Sequence, residues 1–195
     1  MQSTLKRRDV KKTECLISVD IETLGPTPGK YSMYELGACV VGVEYQQFHA
    51  NISLPPSPQY KEEALRVVGI DDIRVITLRK AEKPDDALSR FISWVKNVSG
   101  TTTPVFVANN AHFDWMFVAW YFEEFGLPNP FGHSALDMKV YFMGLTGCSW
   151  KDATLANMAK HAGIDFVRLP HQALEDAIIQ SRIFSTLLHL PKEQS

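Results

Sequence analysis

The stretch that most constrains the fold is an apolar run that leads directly into two acidic residues. Residues 15–19 are apolar or small, Asp20 and Glu22 follow, and a segment rich in Gly and Pro occupies residues 24–29. A short apolar run that ends in this way predicts a buried strand. Because strand side chains alternate between faces, Asp20 and Glu22 are expected to point the same way. Two such carboxylates repel one another unless a cation or a shared proton lies between them. The simpler alternative is that both extend into solvent where the strand ends.

The rest of the chain predicts one mixed α/β domain. Further strands are predicted at residues 34–43, 46–54, 104–108 and 134–137, and helices at residues 84–99, 111–125, 139–145, 153–161 and 172–190. Short turns make the first three strands antiparallel neighbours. The strand–turn–helix order of residues 104–125 predicts a strand parallel to the first one. Residues 60–79 are ambiguous, with a short helix at 61–67 as one interpretation, and Ser149 or Asp152 is expected to cap the helix at 153–161.

Composition and charge favour a soluble, intracellular protein. The chain has 195 residues, of which 45% are hydrophobic, and a net charge of −2. We divide it into a basic N-terminal arm at residues 1–14, one domain at 15–190 and a short tail at 191–195. The arm either contacts phosphates or is a solvated, flexible terminus.

Cysteine usage and hydropathy narrow the class of protein further. The three cysteines are far apart and form no C-x-x-C pair, so the sequence supports neither a disulfide framework nor a zinc knuckle and predicts a reducing, cytoplasmic location. No apolar segment follows the N-terminal charges, so no signal peptide is predicted. No stretch approaches the ~20 apolar residues of a membrane span.

Two further acids occupy positions where α/β folds place their ligands. Asp114 lies in the first turn of the helix that follows the strand at 104–108, and ligands gather beyond the carboxyl ends of such strands. Asp176 lies just inside the last helix, with His171 before it or at its start. Each has an ordinary structural alternative, since acids favour helix N-termini and a lone H-x4-D is common at a capped helix start.

The four acids together favour a metal site. Four converging carboxylates carry a charge near −4, and Mg²⁺ or Mn²⁺ is the cation that suits carboxylate ligands. Two metals roughly 3.5–4 Å apart stabilise the attacking and leaving oxygens of an in-line displacement at phosphorus. A histidine beside such a centre can deprotonate the attacking water near neutral pH.

These motifs resemble those of the DEDDh (DnaQ-like) 3′–5′ exonucleases, a family that includes the proofreading subunit of bacterial DNA polymerase III and ribonuclease T. The matching motifs are D-x-E-T, N-x-x-F-D and H-x4-D-A, together with the run Glu35–Ala38. The catalytic residues are by this resemblance Asp20, Glu22, Asp114, His171 and Asp176. The resemblance implies a ribonuclease H-like fold, with a five-stranded mixed sheet flanked by helices.

The resemblance also implies a role for each residue. Asp20, Glu22 and Asp176 would hold one divalent cation, Asp20 would bridge to a second cation supported by Asp114, and His171 would be the general base. The substrate-binding residues would be Thr23, Leu24 (as an apolar wedge against the terminal base), Asn110 and Phe113. The sequence departs from the family at Leu24 and at Asn109, where relatives often have threonine and histidine; neither change removes a metal ligand.

The expected reaction is hydrolysis of nucleic acid, single-stranded DNA or RNA, from a free 3′ end, with release of nucleoside 5′-monophosphates. A non-catalytic nucleic-acid-binding module on the same fold is the alternative, although such a module would be expected to have lost a ligand. Some family members are dimers, so a homodimer is open. The chain has no extended C-terminal region that would indicate a polymerase partner.

Overall fold

The computed structural model describes residues 13–190 and shows a five-stranded mixed sheet with helices packed on it, which confirms the predicted fold class. The strands are β1 (Glu14–Thr23), β2 (Met33–Val40), β3 (Val43–Asn51), β4 (Thr103–Ala108) and β5 (Ala135–Asp137). The helices are α1 (Glu62–Val67), α2 (Arg74–Thr77), α3 (Pro84–Ser99), α4 (Ala111–Glu124), α5 (Met138–Thr146), α6 (Leu155–His161) and α7 (Ala173–His189). Apart from its last two residues, the predicted basic arm lies outside the described residues, as does the tail at 191–195.

The sheet has the strand order β3-β2-β1-β4-β5. The first three strands in the chain are antiparallel neighbours, as predicted, while β4 pairs parallel with β1 and β5 parallel with β4. β1 is therefore central, and its carboxyl end lies beside that of β4. This arrangement brings the two acids of β1 near the start of α4, which carries Asp114.

The side-chain alternation of β1 assigns its two faces to different helices. Its odd-numbered residues from Cys15 to Ile21 are buried in one core cluster with side chains of α3 and α4. Leu16, on the opposite face, packs into a second cluster that includes Ile183, Phe184 and Leu187 of α7. Asp20 and Glu22 share the parity of Leu16, so they point towards α7 rather than into the α3–α4 core.

The first turn of α7 lies directly on β2 because the strand has a glycine at the contact. A Cβ at Gly37 would lie 2.2 Å from the backbone carbon of Ala173, a distance that real Cβ atoms do not show. Beside it, the Ala173 N–H donates a hydrogen bond of 3.1 Å to the buried Glu35 carboxylate. The run Glu35–Ala38 therefore sets how closely the start of α7 approaches β2, and with it how far Asp176 is buried.

We expect Gly37→Ala to destabilise the fold, because the added methyl meets backbone that has no freedom to rotate away. Overpacking of this kind costs about 1–3 kcal/mol, and at the upper end the melting temperature would fall by at least about 6 °C. Gly144→Ala is the matched control: Gly144 is an exposed position inside α5 with nothing within 4 Å of a Cβ, so the same change should stabilise by about 0.5–1 kcal/mol. Equal melting temperatures for the two variants would contradict this packing.

Several local predictions needed correction. The β2–β3 connection is the two residues Val41 and Gly42, so β2 ends and β3 begins about three residues earlier than predicted. Thr154 caps α6 by accepting a hydrogen bond from the Asn157 N–H, and neither predicted cap does so. Ser149 and Asp152 instead bond to one another in the preceding turn.

Within residues 13–190, no helix has both the length and the apolar character needed to cross a membrane. The three cysteines are free thiols, two of them buried, as the sequence indicated.

Candidate active site

All five predicted catalytic residues line one small cavity at the carboxyl ends of β1 and β4. The cavity has a volume of about 200 Å³ and is lined by Asp20, Ile21, Glu22, Asn109, Asn110, Phe113, Asp114, Leu169, His171 and Asp176. The structure thus brings together acids from β1, α4 and α7 that are up to 156 residues apart in the chain.

Asp114 is fastened to the strand that carries the other acids. It lies in the first turn of α4 and is 6% exposed. Its Oδ1 accepts a hydrogen bond of 3.2 Å from the N–H of Ile21, the residue between Asp20 and Glu22. Asp114 therefore does more than favour its own helix N-terminus: it joins α4 to the end of β1.

His171 and Asp176 enter the cavity from the start of α7. Asp176 is 1% exposed. His171 has φ 58°, and Asn110, at the start of α4, has φ 60°; these are the two non-glycine residues with positive φ in the part of the chain that the structure describes. A left-handed backbone is unfavourable for most side chains and marks positions that the surrounding structure enforces. Both residues line the cavity and lie in the turn just before a helix that supplies one of the acids.

The donor set fits a divalent cation. One ligand atom of Glu22, one of His171 and one of Asp176 all lie within 4.8 Å of one another. Asp176 Oδ1 is buried without a hydrogen-bond partner among the described residues, and a buried carboxylate oxygen is costly unless something positive satisfies it. Asp20 and Asp114 lie outside this tight group but line the same cavity. Oxygen-rich ligands of this kind suit Mg²⁺ or Mn²⁺.

The pKa values of all four acids are raised above those of carboxyl groups in water. Burial raises the pKa of Glu22 and of Asp114 to about 8 and that of Asp176 to about 7. The pKa of Asp20 is raised well above its usual value, first by burial and then by repulsion from Asp114, Asp176 and Glu22. Each protein carboxylate therefore makes its neighbours harder to ionise, and a bound cation reverses the sign of that effect.

A wider groove of about 600 Å³ adjoins the acids between the end of β1 and helix α1. Glu22, Thr23 and Phe113 line it, and Ala64, Val67 and Val68 form much of its apolar side. Two of the predicted substrate-binding residues thus lie in this groove, and Asn110 lies in the acidic cavity beside it.

Leu24, the predicted wedge, is placed differently. Its side chain is completely buried in a cluster with Tyr31, Tyr34, Leu65 and Ile76. Its N–H donates to the Ser32 carbonyl, and its carbonyl accepts from the Lys61 N–H. Leu24 therefore supports the groove from behind in this conformation instead of entering it.

Two contributors to the site were not identified from the sequence. Gln180, one turn after Asp176 on α7, donates a hydrogen bond of 2.6 Å to Asp20. The apolar residues of α1 belong to a segment whose structure the sequence left ambiguous. Asp137 braces the start of α4 from outside the cavity: it accepts hydrogen bonds from the Lys139 and Val140 N–H groups in the first turn of α5 and from the Ala111 N–H at the start of α4.

Comparison with known proteins agrees with this geometry. The family model described as Exonuclease (RNase T) matches residues 17–184. The 3′–5′ DNA exonuclease Cap18 of Escherichia coli is 36% identical over 184 residues, which are 93% of this chain and 95% of Cap18.

Solved structures share the fold at lower identity. The nuclease domain of 3′hExo, a DEDDh family member bound to rAMP, has a TM-score of 0.75 at 17% identity, covering 96% of this chain and 98% of that one. Exonuclease I of E. coli with a dT13 oligonucleotide has a TM-score of 0.67 at 16% identity, covering 92% of this chain and 42% of that one. Pop2p of S. pombe, in a form with bound Mg²⁺ and Mn²⁺, has a TM-score of 0.62 at 17% identity, covering 87% and 81%.

The sheet and its acidic cavity define a nuclease of the ribonuclease H-like class. The chain belongs to the RNase T-type exonuclease family, and it is a metal-dependent 3′–5′ exonuclease. The predicted resemblance to the DEDDh exonucleases is confirmed, and the alternative of a non-catalytic module is set aside.

Proposed function

We propose that the protein releases nucleoside 5′-monophosphates one at a time from the 3′ end of single-stranded DNA, with two divalent cations and with His171 as the general base. The observation that carries this proposal is the convergence of four carboxylates and His171 on one cavity that opens beside a nucleotide-sized groove. The choice of DNA is supported by the 36% identity to a protein named a DNA exonuclease.

The four acids would hold the cations. Asp20, Glu22 and Asp176 would bind one, and Asp20 and Asp114 the other. When bound, the cations supply charge stabilisation for the attacking and leaving oxygens at phosphorus. The unpartnered Oδ1 of Asp176 and the raised pKa values of the four carboxyl groups support this assignment.

His171 would take the proton of the attacking water. One ring nitrogen of His171, one carboxylate oxygen of Glu22 and one of Asp176 all lie within 4.8 Å of one another. The backbone of His171 is left-handed, with φ 58°. An imidazole is suited to this step because its usual pKa is close to the pH of the cell. The water oxygen bonds to phosphorus, and the bond from phosphorus to the 3′ oxygen of the preceding nucleotide breaks. That 3′ oxygen takes up a proton and becomes the new 3′ hydroxyl of the strand, and the phosphate stays on the 5′ oxygen of the released nucleotide.

The groove would hold the 3′-terminal nucleotide. Phe113 is half-buried and lies where the groove meets the acidic cavity, since it lines both. Val67 and Val68 line the same groove. An apolar wall with one aromatic ring suits a base, and Thr23 and Asn110 would contact the sugar and the phosphate.

We expect Phe113→Ala to raise KM for a single strand with a smaller effect on kcat, because it removes a stacking surface and no reacting group. A base stacked on an aromatic ring is worth about 1–3 kcal/mol, which corresponds to roughly a 5–150-fold rise in KM. Phe125→Ala is the matched control, since Phe125 is a partly exposed aromatic residue at the opposite end of α4. An unchanged KM in Phe113→Ala, or an equal rise in both variants, would remove Phe113 from the substrate site.

The substrate is tested with matched DNA and RNA oligonucleotides, single- and double-stranded, in Mg²⁺ and in Mn²⁺. We expect the highest kcat/KM on single-stranded DNA and a nucleoside 5′-monophosphate as the product identified by mass. Faster hydrolysis of the RNA strand would overturn the DNA assignment, and a 3′-monophosphate product would overturn the proposed bond cleavage. A homodimer and the location of the protein in the cell stay predictions.

A further inference from the structure

The side chain of Gln180 lies at the junction of the three segments that carry the acids. It is 2% exposed and lies between the sheet and α7, whereas most glutamine side chains in proteins are exposed to solvent. Its Nε2 donates a hydrogen bond of 2.6 Å to Asp20 Oδ1, and its Oε1 accepts one of 2.8 Å from the Asn109 N–H. Gln180 itself is on α7, one turn beyond Asp176.

We propose that Gln180 is a positioning residue that holds the Asp20 carboxylate in its metal-binding orientation. This inference rests on the proposed role of Asp20 as a metal ligand. The amide occupies one oxygen of Asp20 and leaves the other free for a cation. Because the same amide is bonded to the turn before α4, the position of Asp20 is fixed relative to the segments that carry Asp114 and Asp176.

The chemistry of the position requires this residue type. One side chain must present a donor to a carboxylate and an acceptor to a backbone N–H, so a carboxylate, an ammonium or an apolar side chain satisfies at most one of the two. An asparagine has both groups but is one methylene shorter, so we expect that from α7 it cannot contact Asp20 and Asn109 together. A metal-ligating carboxylate whose hydrogen-bond partner is removed typically loses ten- to a hundredfold in metal affinity or activity.

The burial of the amide follows from this arrangement. The donor and the acceptor of Gln180 are both used, so burial leaves no unsatisfied polar group on the side chain. Burial is the largest cause of the raised pKa of Asp20, and the hydrogen bond from Gln180 acts in the opposite direction, so it stabilises the ionised carboxylate that a cation requires. A residue that only filled space between α7 and the sheet would need neither contact.

The test is Mn²⁺ binding by calorimetry, with the Mn²⁺ concentration that gives half-maximal activity as a second measurement. In Gln180→Met, which has similar length and no hydrogen-bonding amide, we expect both the dissociation constant and the half-maximal concentration to rise about ten- to a hundredfold. Because the effect is on ligand orientation, excess Mn²⁺ should restore part of the activity. Should Gln180→Met fail to fold, Gln180→Asn, which keeps the amide, is expected to show the same direction of change.

Ser181→Ala is the matched control. Ser181 is buried on the same helix and accepts a hydrogen bond from the Gly42 N–H at the β2–β3 turn, so it joins α7 to the sheet without contacting an acid. We expect this variant to lose stability and to keep wild-type Mn²⁺ affinity. If the Gln180 variants likewise lose only stability, Gln180 is a structural brace and the inference is wrong.

Asp20→Asn, measured in parallel, distinguishes failure of the positioning role from failure of the metal site. Loss of Mn²⁺ affinity in Asp20→Asn with wild-type affinity in the Gln180 variants overturns the positioning role alone. Wild-type affinity in Asp20→Asn overturns the proposed metal site itself.

Discussion

Asp20→Asn is expected to lower kcat at least about a thousandfold while the protein stays folded. The variant loses one charged metal ligand, and charge stabilisation by a bound metal is worth several kcal/mol in the transition state, where each 1.36 kcal/mol is a factor of ten. The fold should tolerate the change, because an asparagine keeps an oxygen that can accept the hydrogen bond from Gln180. In chelator, the melting temperature should equal or exceed that of the wild type, since the change removes one of four mutually repelling carboxylates.

Asp86→Asn is the control for the loss of one negative charge. Asp86 is exposed in the first turn of α3 and does not line the cavity of the acids. Its activity should match that of the wild type. A kcat for Asp20→Asn within about tenfold of the wild-type value, or a melting temperature in chelator well below that of the wild type, would contradict the account of the site.

For His171→Asn, we expect a loss of about 10²–10⁴ in kcat with Mn²⁺ affinity close to wild type. General-base catalysis contributes an effect of this size, and asparagine is chosen because it tolerates the left-handed backbone at this position better than alanine does. Measuring kcat together with Mn²⁺ calorimetry separates the two roles that the geometry allows, since His171 lies near enough to Glu22 and Asp176 to be a ligand. Mn²⁺ affinity reduced as far as in Asp20→Asn would show that His171 is a ligand rather than the base.

His133→Asn controls for the loss of an imidazole. His133 is exposed in the loop between α4 and β5 and does not line the acidic cavity. This variant should keep wild-type kcat and KM. Equal losses at His133 and at His171 would indicate a general effect on the fold.

The sequence was sufficient to locate the acids because each stands next to a local signal. The alternation of residues in β1 sends Asp20 and Glu22 to the same face, and the apolar run before them identifies the strand. Asp114 and Asp176 lie in the first turns of long helices, whose apolar periodicity is read over many residues. Neither local signal shows that β1 and the starts of α4 and α7 meet in the fold. The resemblance to a known family supplied that step.

The residues that were missed depend on contacts that no local pattern encodes. Helix α1 agrees with the short helix that was one interpretation of residues 61–67, but its six residues are too few for a periodic pattern to show that it lines the groove. Leu24 is buried by Tyr31, by Leu65 of α1 and by Ile76 of α2. Leu65 and Ile76 are distant in the sequence, so the residue types around Leu24 do not reveal its burial. Gln180 shares a helix face with Asp176, but its role becomes visible only when Asp20 and Asn109 are seen on either side of its amide.

The most direct test of the central claim is the degradation of a 5′-labelled single-stranded DNA in Mn²⁺, with a second strand whose 3′ end is blocked by an inverted nucleotide. We expect the first strand to be shortened one nucleotide at a time from its 3′ end and the blocked strand to persist. We also expect chelator and Asp20→Asn each to stop the reaction. Internal cleavage of both strands, or an undiminished ladder with Asp20→Asn, would contradict it.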